Sequence, residues 1–167
     1  MMEFTFTLKY RLPDIDSDAG SLEQQLADAG CDDALLGIGR PGRLALEFCR
    51  QSATAQEAVL SALADVRKAV PGAELIEVSP DLVGLTDVAD LLGMSRQNMR
   101  KLLLAHPQTF PAPVHEGSAS VWHLADILSW LHARGSHKVS GELLELAAAA
   151  LKANLAKEQE RLLQHLG

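Results

Sequence analysis

Residues 85–104 read LTDVADLLGMSRQNMRKLLL, two short helical patterns joined at a glycine. Thr86 is placed to cap the first helix, whose Val88, Ala89 and Leu92 fall on one inward side. Gly93 supplies the left-handed backbone angles that a sharp corner needs, because it has no Cβ to clash. Met94 follows as an apolar residue to pack at the corner. Ser95 is placed to cap the second helix, and His106-Pro107 to stop it, since the residue before a proline disfavours helix. The faces of this second helix separate by chemistry. Met99, Leu102 and Leu103 share a buried side; Arg96, Gln97, Arg100 and Lys101 project outward, with Asn98 near the boundary.

Just downstream, residues 110–122 read FPAPVHEGSASVW. They predict two short extended pieces around Glu116-Gly117, a small hairpin that Trp122 closes against the core. Leu124, Ile127, Leu128 and Leu131 then repeat at helical spacing and predict a third helix. Three blocks now stand in order: the L-T-x-x-A-x-x-L-G-x-S-R core with its K-L, the F-P-x-P-V, and the V-W-x-x-x-D-I-x-x-W-L. Residues 81–134 thereby resemble the winged helix-turn-helix of the AlpA/excisionase type, within the MerR-like superfamily.

The resemblance implies DNA binding, with the second helix in the major groove and the hairpin wing over the backbone or minor groove. Ser95, Arg96, Gln97, Asn98, Arg100 and Lys101 become the expected contacts on the helix, and Ser118 and Ser120 those on the wing. Arginine can grip guanine bidentately, and glutamine or asparagine can grip adenine. Serine hydroxyls and backbone amides can hold phosphate. Wings of this type are often basic at the tip, whereas this one offers Glu116, Gly117, Ser118 and Ser120.

A net charge of −7 over 167 residues would at first argue against a nucleic-acid partner. Its distribution removes the objection. Residues 1–80 carry 7 basic and 13 acidic side chains, residues 81–134 carry 4 and 5, and residues 135–167 carry 4 and 4. No carboxylate lies between Leu91 and His115, the span holding Arg96, Arg100 and Lys101. Contact with phosphate follows local charge, while long-range steering follows the whole.

Working outward, the first eighty residues alternate strand and helix patterns. Phe4, Phe6, Leu8 and Tyr10 alternate with Thr5, Thr7, Lys9 and Arg11, the period of a half-buried strand. A capping box at Ser21 and Gln24 predicts a helix ending near Gly30. Residues 34–38 and 43–49 are apolar stretches flanking the turn Gly39-Arg40-Pro41-Gly42. A second box, Thr54 with Glu57, predicts a helix running to Val70, and residues 74–78 a last strand. The expected fold is therefore α+β: a ferredoxin-like βαββαβ domain over residues 1–80, a winged helix-turn-helix over 81–134, and a long C-terminal helix within 139–167. Breaks are expected at Ser79-Pro80-Asp81 and at residues 135–138. Ser140 is placed to cap the last helix, from Gly141 to about His165, where Leu144, Ala148, Leu151, Leu155 and Leu162 form a stripe interrupted at Glu158. About 37 Å of helix at 1.5 Å per residue exceeds what a small domain needs for its own core, so the stripe predicts a dimer seam.

Other chemistries find little support. Gly37-Ile38-Gly39-Arg40-Pro41-Gly42-Arg43 looks like a phosphate loop but lacks the following helix and the lysine-serine pair, so it reads as a tight hairpin. Trp122 and Trp130 read as core, and the six histidines, His132 and His137 among them, as surface groups without zinc spacing. Cys31 and Cys49 read as reduced thiols. No nucleophile–base pair or acid pair stands in a recognisable setting, so neither an enzyme nor a cofactor or metal site is expected. The expectation is a cytoplasmic, non-membrane, homodimeric transcriptional regulator that binds double-stranded DNA. Two alternatives stay open: an antitoxin or adaptor whose acidic first domain grips a protein partner, and a regulator whose first domain senses a ligand.

Overall fold

The computed structural model describes residues 1–37, 39–135 and 137–166. Ile38, which closes the predicted strand at 34–38, Ser136, within the predicted break at 135–138, and the terminal Gly167 lie outside the described residues. The chain is mixed α+β and divides into two compact units, Met1–Ser79 with Ala149–Gly167, and Pro80–Ala148. Among the described residues, no helix is long and apolar enough to cross a membrane.

In the first unit the elements run β1 (Met2–Arg11), α1 (Ala19–Asp28), β2 (Ala34–Gly37), β3 (Arg43–Ser52), α2 (Ala55–Ala69) and β4 (Glu74–Ser79). The strands form one sheet in the order β2-β3-β1-β4, with every neighbouring pair antiparallel. Alternation along β1 buries Phe4, Phe6, Leu8 and Tyr10, and along β3 it buries Leu44, Leu46 and Phe48. Register sets Phe6 opposite Phe48, and their rings stack at 5.4 Å. Against this apolar face α2 buries Ala55, Ala58, Val59, Ala62, Val66 and Ala69, small side chains that let the helix lie close to the strands.

Local caps follow the sequence in one helix and depart from it in the other. The Thr54 hydroxyl accepts from the Glu57 N–H at 3.1 Å, as the pattern predicts. The first helix starts earlier than its Ser21 box implied. Asp18 is the cap, its carboxylate accepting from both the N–H and the hydroxyl of Ser21 at 3.0 and 3.1 Å. A carboxylate is the stronger acceptor and also favours the positive end of the helix dipole, which explains the shift. Arg50, on β3, ties α2 to the segment after α1: it donates to Asp33 at 2.8 and 3.0 Å, to Asp65 at 3.0 Å and to the Gly30 carbonyl at 3.1 Å.

The second unit contains β5 (Leu82–Val83), α3 (Leu85–Leu92), α4 (Arg96–Ala105), β6 (Trp122–His123) and α5 (Leu124–Arg134). Strand β5, which the sequence pattern does not announce, pairs antiparallel with β6, setting Val83 opposite Trp122. Asp81 anchors this junction. It is 1% exposed, shares a 2.6 Å hydrogen bond with Nδ1 of His123, and accepts from the Leu124 N–H at its carbonyl at 2.7 Å. Leu124, Ile127, Leu128 and Leu131 are all fully buried along α5, as their spacing predicts.

The last helix, α6 (Gly141–His165), is capped by the Ser140 hydroxyl, which accepts from the Leu143 N–H at 3.0 Å. Its later turns do intrachain work that its length alone did not suggest. The Asn154 side chain bonds both backbone groups of Val78, and Lys157 donates to the Ile76 carbonyl at 2.6 Å. Both targets lie on β4, the edge strand, so α6 covers a sheet edge that would otherwise present unpaired backbone groups. The buried positions of the helix are Leu146, Ala147, Ala149, Ala150 and Asn154. The stripe expected to face a second chain is only partly open: Leu144, Ala148 and Leu151 are half-buried, while Leu155 and Leu162 are exposed.

Candidate nucleic-acid interface

Helix α3 begins at Gly84, and the Asp87 carboxylate accepts the Gly84 N–H at 2.9 Å. Thr86 therefore sits inside the first turn instead of capping it. The acidic side chain reaches back to the chain entry, and the helix starts before the position a Thr86 cap would set. Val88 and Ala89 are buried, Leu92 half-buried. Gly93 takes φ 66°, the left-handed corner, and Met94 is half-buried behind it.

Ser95 then caps α4 as expected, its hydroxyl accepting from the Asn98 N–H at 3.2 Å. Met99 is fully buried; Leu102 and Leu103 are half-buried. With Met99 pinned inward, Gln97 and Lys101 fall on the opposite side, Asn98 and Arg100 on the flanks and Arg96 in the first turn beside the buried edge, all five exposed. None of the three cations makes an ion pair among the described residues. The first turn also leaves backbone N–H groups with no acceptor within the helix. A solvent-facing patch of positive charge, amide donors and helix-end amides is thus held on a rigid element.

The far end of α4 is fixed by rings. His106 meets Trp130 of α5 edge-on at 5.6 Å, Phe110 meets Trp130 at 5.0 Å and Trp122 at 6.1 Å, and the Arg134 guanidinium lies over Trp130 at 4.7 Å. Trp122 is buried and donates its indole N–H to the Pro111 carbonyl at 2.8 Å. Trp130 is half-buried, a packing residue with one face under Arg134.

The wing is slighter than the expected hairpin. Its extended pieces are joined by one bridge, His115 with Val121, whose backbone groups bond at 3.0 and 3.3 Å. Pro111 and Pro113 lack N–H donors, which limits how far the ladder can extend. Ser118 is exposed on the loop; Ser120 is half-buried near Gly84, at the base. His115 went unread in the sequence as a wing residue. It is exposed, and its ring lies where a side chain on Gly117 would begin, 2.9 Å from that point.

Among the described residues, no cluster of histidine, cysteine, aspartate and glutamate could hold a metal. No protein-family model, curated protein or solved structure matches this chain.

Proposed function

We propose that this chain binds double-stranded DNA through a winged helix-turn-helix of the AlpA/excisionase type and acts as a homodimeric transcriptional regulator. The observation that carries the reading is the two-sided character of α4. Met99 is fully buried, while Arg96, Gln97, Arg100 and Lys101 stand exposed around the rest of the helix, without ion pairs among the described residues. A helix of ten residues is about 15 Å long and fits a major groove about 12 Å wide. Arg96, Gln97 and Arg100 read base edges; Ser95 and Lys101 hold the backbone; Asn98 and, on the wing, Ser118 add polar contacts. Ser120, half-buried, contributes through its place at the base of the wing.

The strand order β2-β3-β1-β4 with crossovers through α1 and α2 supports a ferredoxin-like reading of the first unit. Leu155 and Leu162, with the neighbouring exposed Leu163 and Leu166, are the apolar surface for a second copy.

Selection from a random duplex pool, followed by titration of the winning site at several salt concentrations, tests the proposal. Every phosphate that a side chain neutralises steepens the slope of log K against log salt by about 0.9. Enrichment of one motif with salt-sensitive association supports the reading; no salt-sensitive association overturns it.

A further inference from the structure

The first unit contains an open cleft of about 680 Å³, walled by α2, β4 and the later turns of α6. Small-molecule sites commonly occupy roughly 300–1,000 Å³. Leu60, Leu63, Ile76 and Ala156 give the cleft apolar walls, and Leu60 and Ile76 remain 52% and 38% exposed. Two polar groups reach into this space without a partner. Tyr10 is 4% exposed and lines the cleft, yet its hydroxyl has no hydrogen-bond partner among the described residues. That hydroxyl is also not sealed off from the cleft. Burial holds the phenol far above its ordinary range, so it remains a proton donor at neutral pH. Arg67 lines the same cleft, acts electrostatically on Tyr10, and has no ion pair among the described residues.

The carboxylates of the rim are already engaged. Glu74 pairs with Arg11, Glu158 with Lys157 and Arg161, and Glu160 accepts from Gln164. Glu160 keeps its charge at the rim, but among the described residues beside the apolar walls the cation without an ion pair is Arg67, and the group without a partner is the Tyr10 hydroxyl, a donor. A ligand with a negative head and an apolar body satisfies both.

We propose that this cleft binds an amphipathic monocarboxylate of medium chain length, its carboxylate held by the Arg67 guanidinium and the Tyr10 hydroxyl and its alkyl body along Leu60, Leu63 and Ile76. The site lies wholly within the first unit and does not depend on the DNA reading.

The full-length protein is titrated by calorimetry and nitrogen-15 NMR with decanoate, and in parallel with decanol and decyltrimethylammonium. Decanoate is expected to bind at least tenfold tighter than either counterpart, with amide shifts on α2 and β4. Arg67→Ala is expected to lower decanoate affinity about tenfold and erase the preference, the loss of one charge-assisted hydrogen bond. Tyr10→Phe keeps the ring and is expected to lower it about fivefold. No binding of decanoate, equal binding of all three amphiphiles, or wild-type affinity in Arg67→Ala overturns the proposal. So does a concentration-dependent dimer that Leu60→Glu abolishes, since a second copy would then occupy the cleft.

Discussion

The side chain of Asn154 clamps the backbone of Val78 from both sides: its Oδ1 accepts the Val78 N–H at 2.8 Å, and its Nδ2 donates to the Val78 carbonyl at 2.9 Å. An amide side chain carries one acceptor and two donors at the spacing of a peptide group, so it completes an edge strand as a neighbouring strand would. Asn154 is 8% exposed and Val78 fully buried, so neither backbone group could turn to water without the clamp.

Asn154→Leu keeps the volume and leaves a buried donor and acceptor unmatched. The expected cost is about 3 kcal/mol. Urea denaturation measures it, and hydrogen exchange at the Val78 amide should accelerate. Unchanged protection at Val78 would show that the clamp contributes nothing to the edge.

Arg100→Ala is expected to weaken binding to a selected DNA site by about 1–3 kcal/mol if the guanidinium reads a base. Lys101→Ala should weaken all duplexes alike and flatten the salt slope by about 0.9. Fluorescence anisotropy against matched and scrambled duplexes separates the two roles. Wild-type affinity and slope would remove either residue from the interface.

The two sides of α4 should respond oppositely to truncation. Met99→Ala empties a fully buried position and is expected to cost about 2–5 kcal/mol of stability. Arg96→Ala, on the exposed side, should leave stability within about 0.5 kcal/mol while lowering DNA affinity. Thermal denaturation beside DNA titration reads both. An Arg96→Ala protein that melts early would place that side chain in the structure instead of on the ligand.

Deleting residues 140–167 is no clean test of dimerisation, because it also removes Asn154 and Lys157 from the β4 edge. The double substitution Leu155→Glu with Leu162→Glu leaves both in place and charges only exposed positions. Sedimentation equilibrium should then report monomers. A persistent dimer would move the interface elsewhere.

The two cysteines should differ in reactivity. Burial pushes the Cys31 thiol up from its ordinary value to about 11, with Asp65 next in effect, whereas Cys49 is exposed. Ellman's reagent at pH 8 should titrate one thiol in the folded protein and two in denaturant. Because the unfolded Cys31 thiol ionises at lower pH than the folded one, its share of stability is whole below about pH 9 and fades as the pH rises towards 11. Two fast thiols in the folded protein would contradict the burial of Cys31.

Much of this architecture was legible because it depends on neighbours along the chain. Period-two alternation located β1, the Thr54 and Ser95 hydroxyls located the starts of α2 and α4, and Gly93 located the corner between α3 and α4. Most of the outward set on α4 was readable for the same reason: once Met99 is taken as buried, helical geometry assigns Gln97 and Lys101 to the far side and Asn98 and Arg100 to its flanks.

What stayed hidden depends on partners distant in sequence. Strand β5 is two residues long and exists because Val83 meets Trp122; no periodicity develops over two residues. Asp81 looked like a boundary residue, and the approach of His123 from far along the chain supplies a partner for a carboxylate 1% exposed. Asn154 drew no reading from the sequence, and only β4 beside it gives its side chain a role. The free pair Tyr10 and Arg67 likewise comes from a strand and a helix far apart in the chain. Composition and spacing determined the α+β class, the helix starts and the charged face of α4, since hydrogen-bond capping and amphipathic periodicity act within a few residues. Tertiary structure alone decided which edge needed covering, which polar groups were buried and which were left open, because desolvation and pairing depend on what the rest of the chain brings alongside.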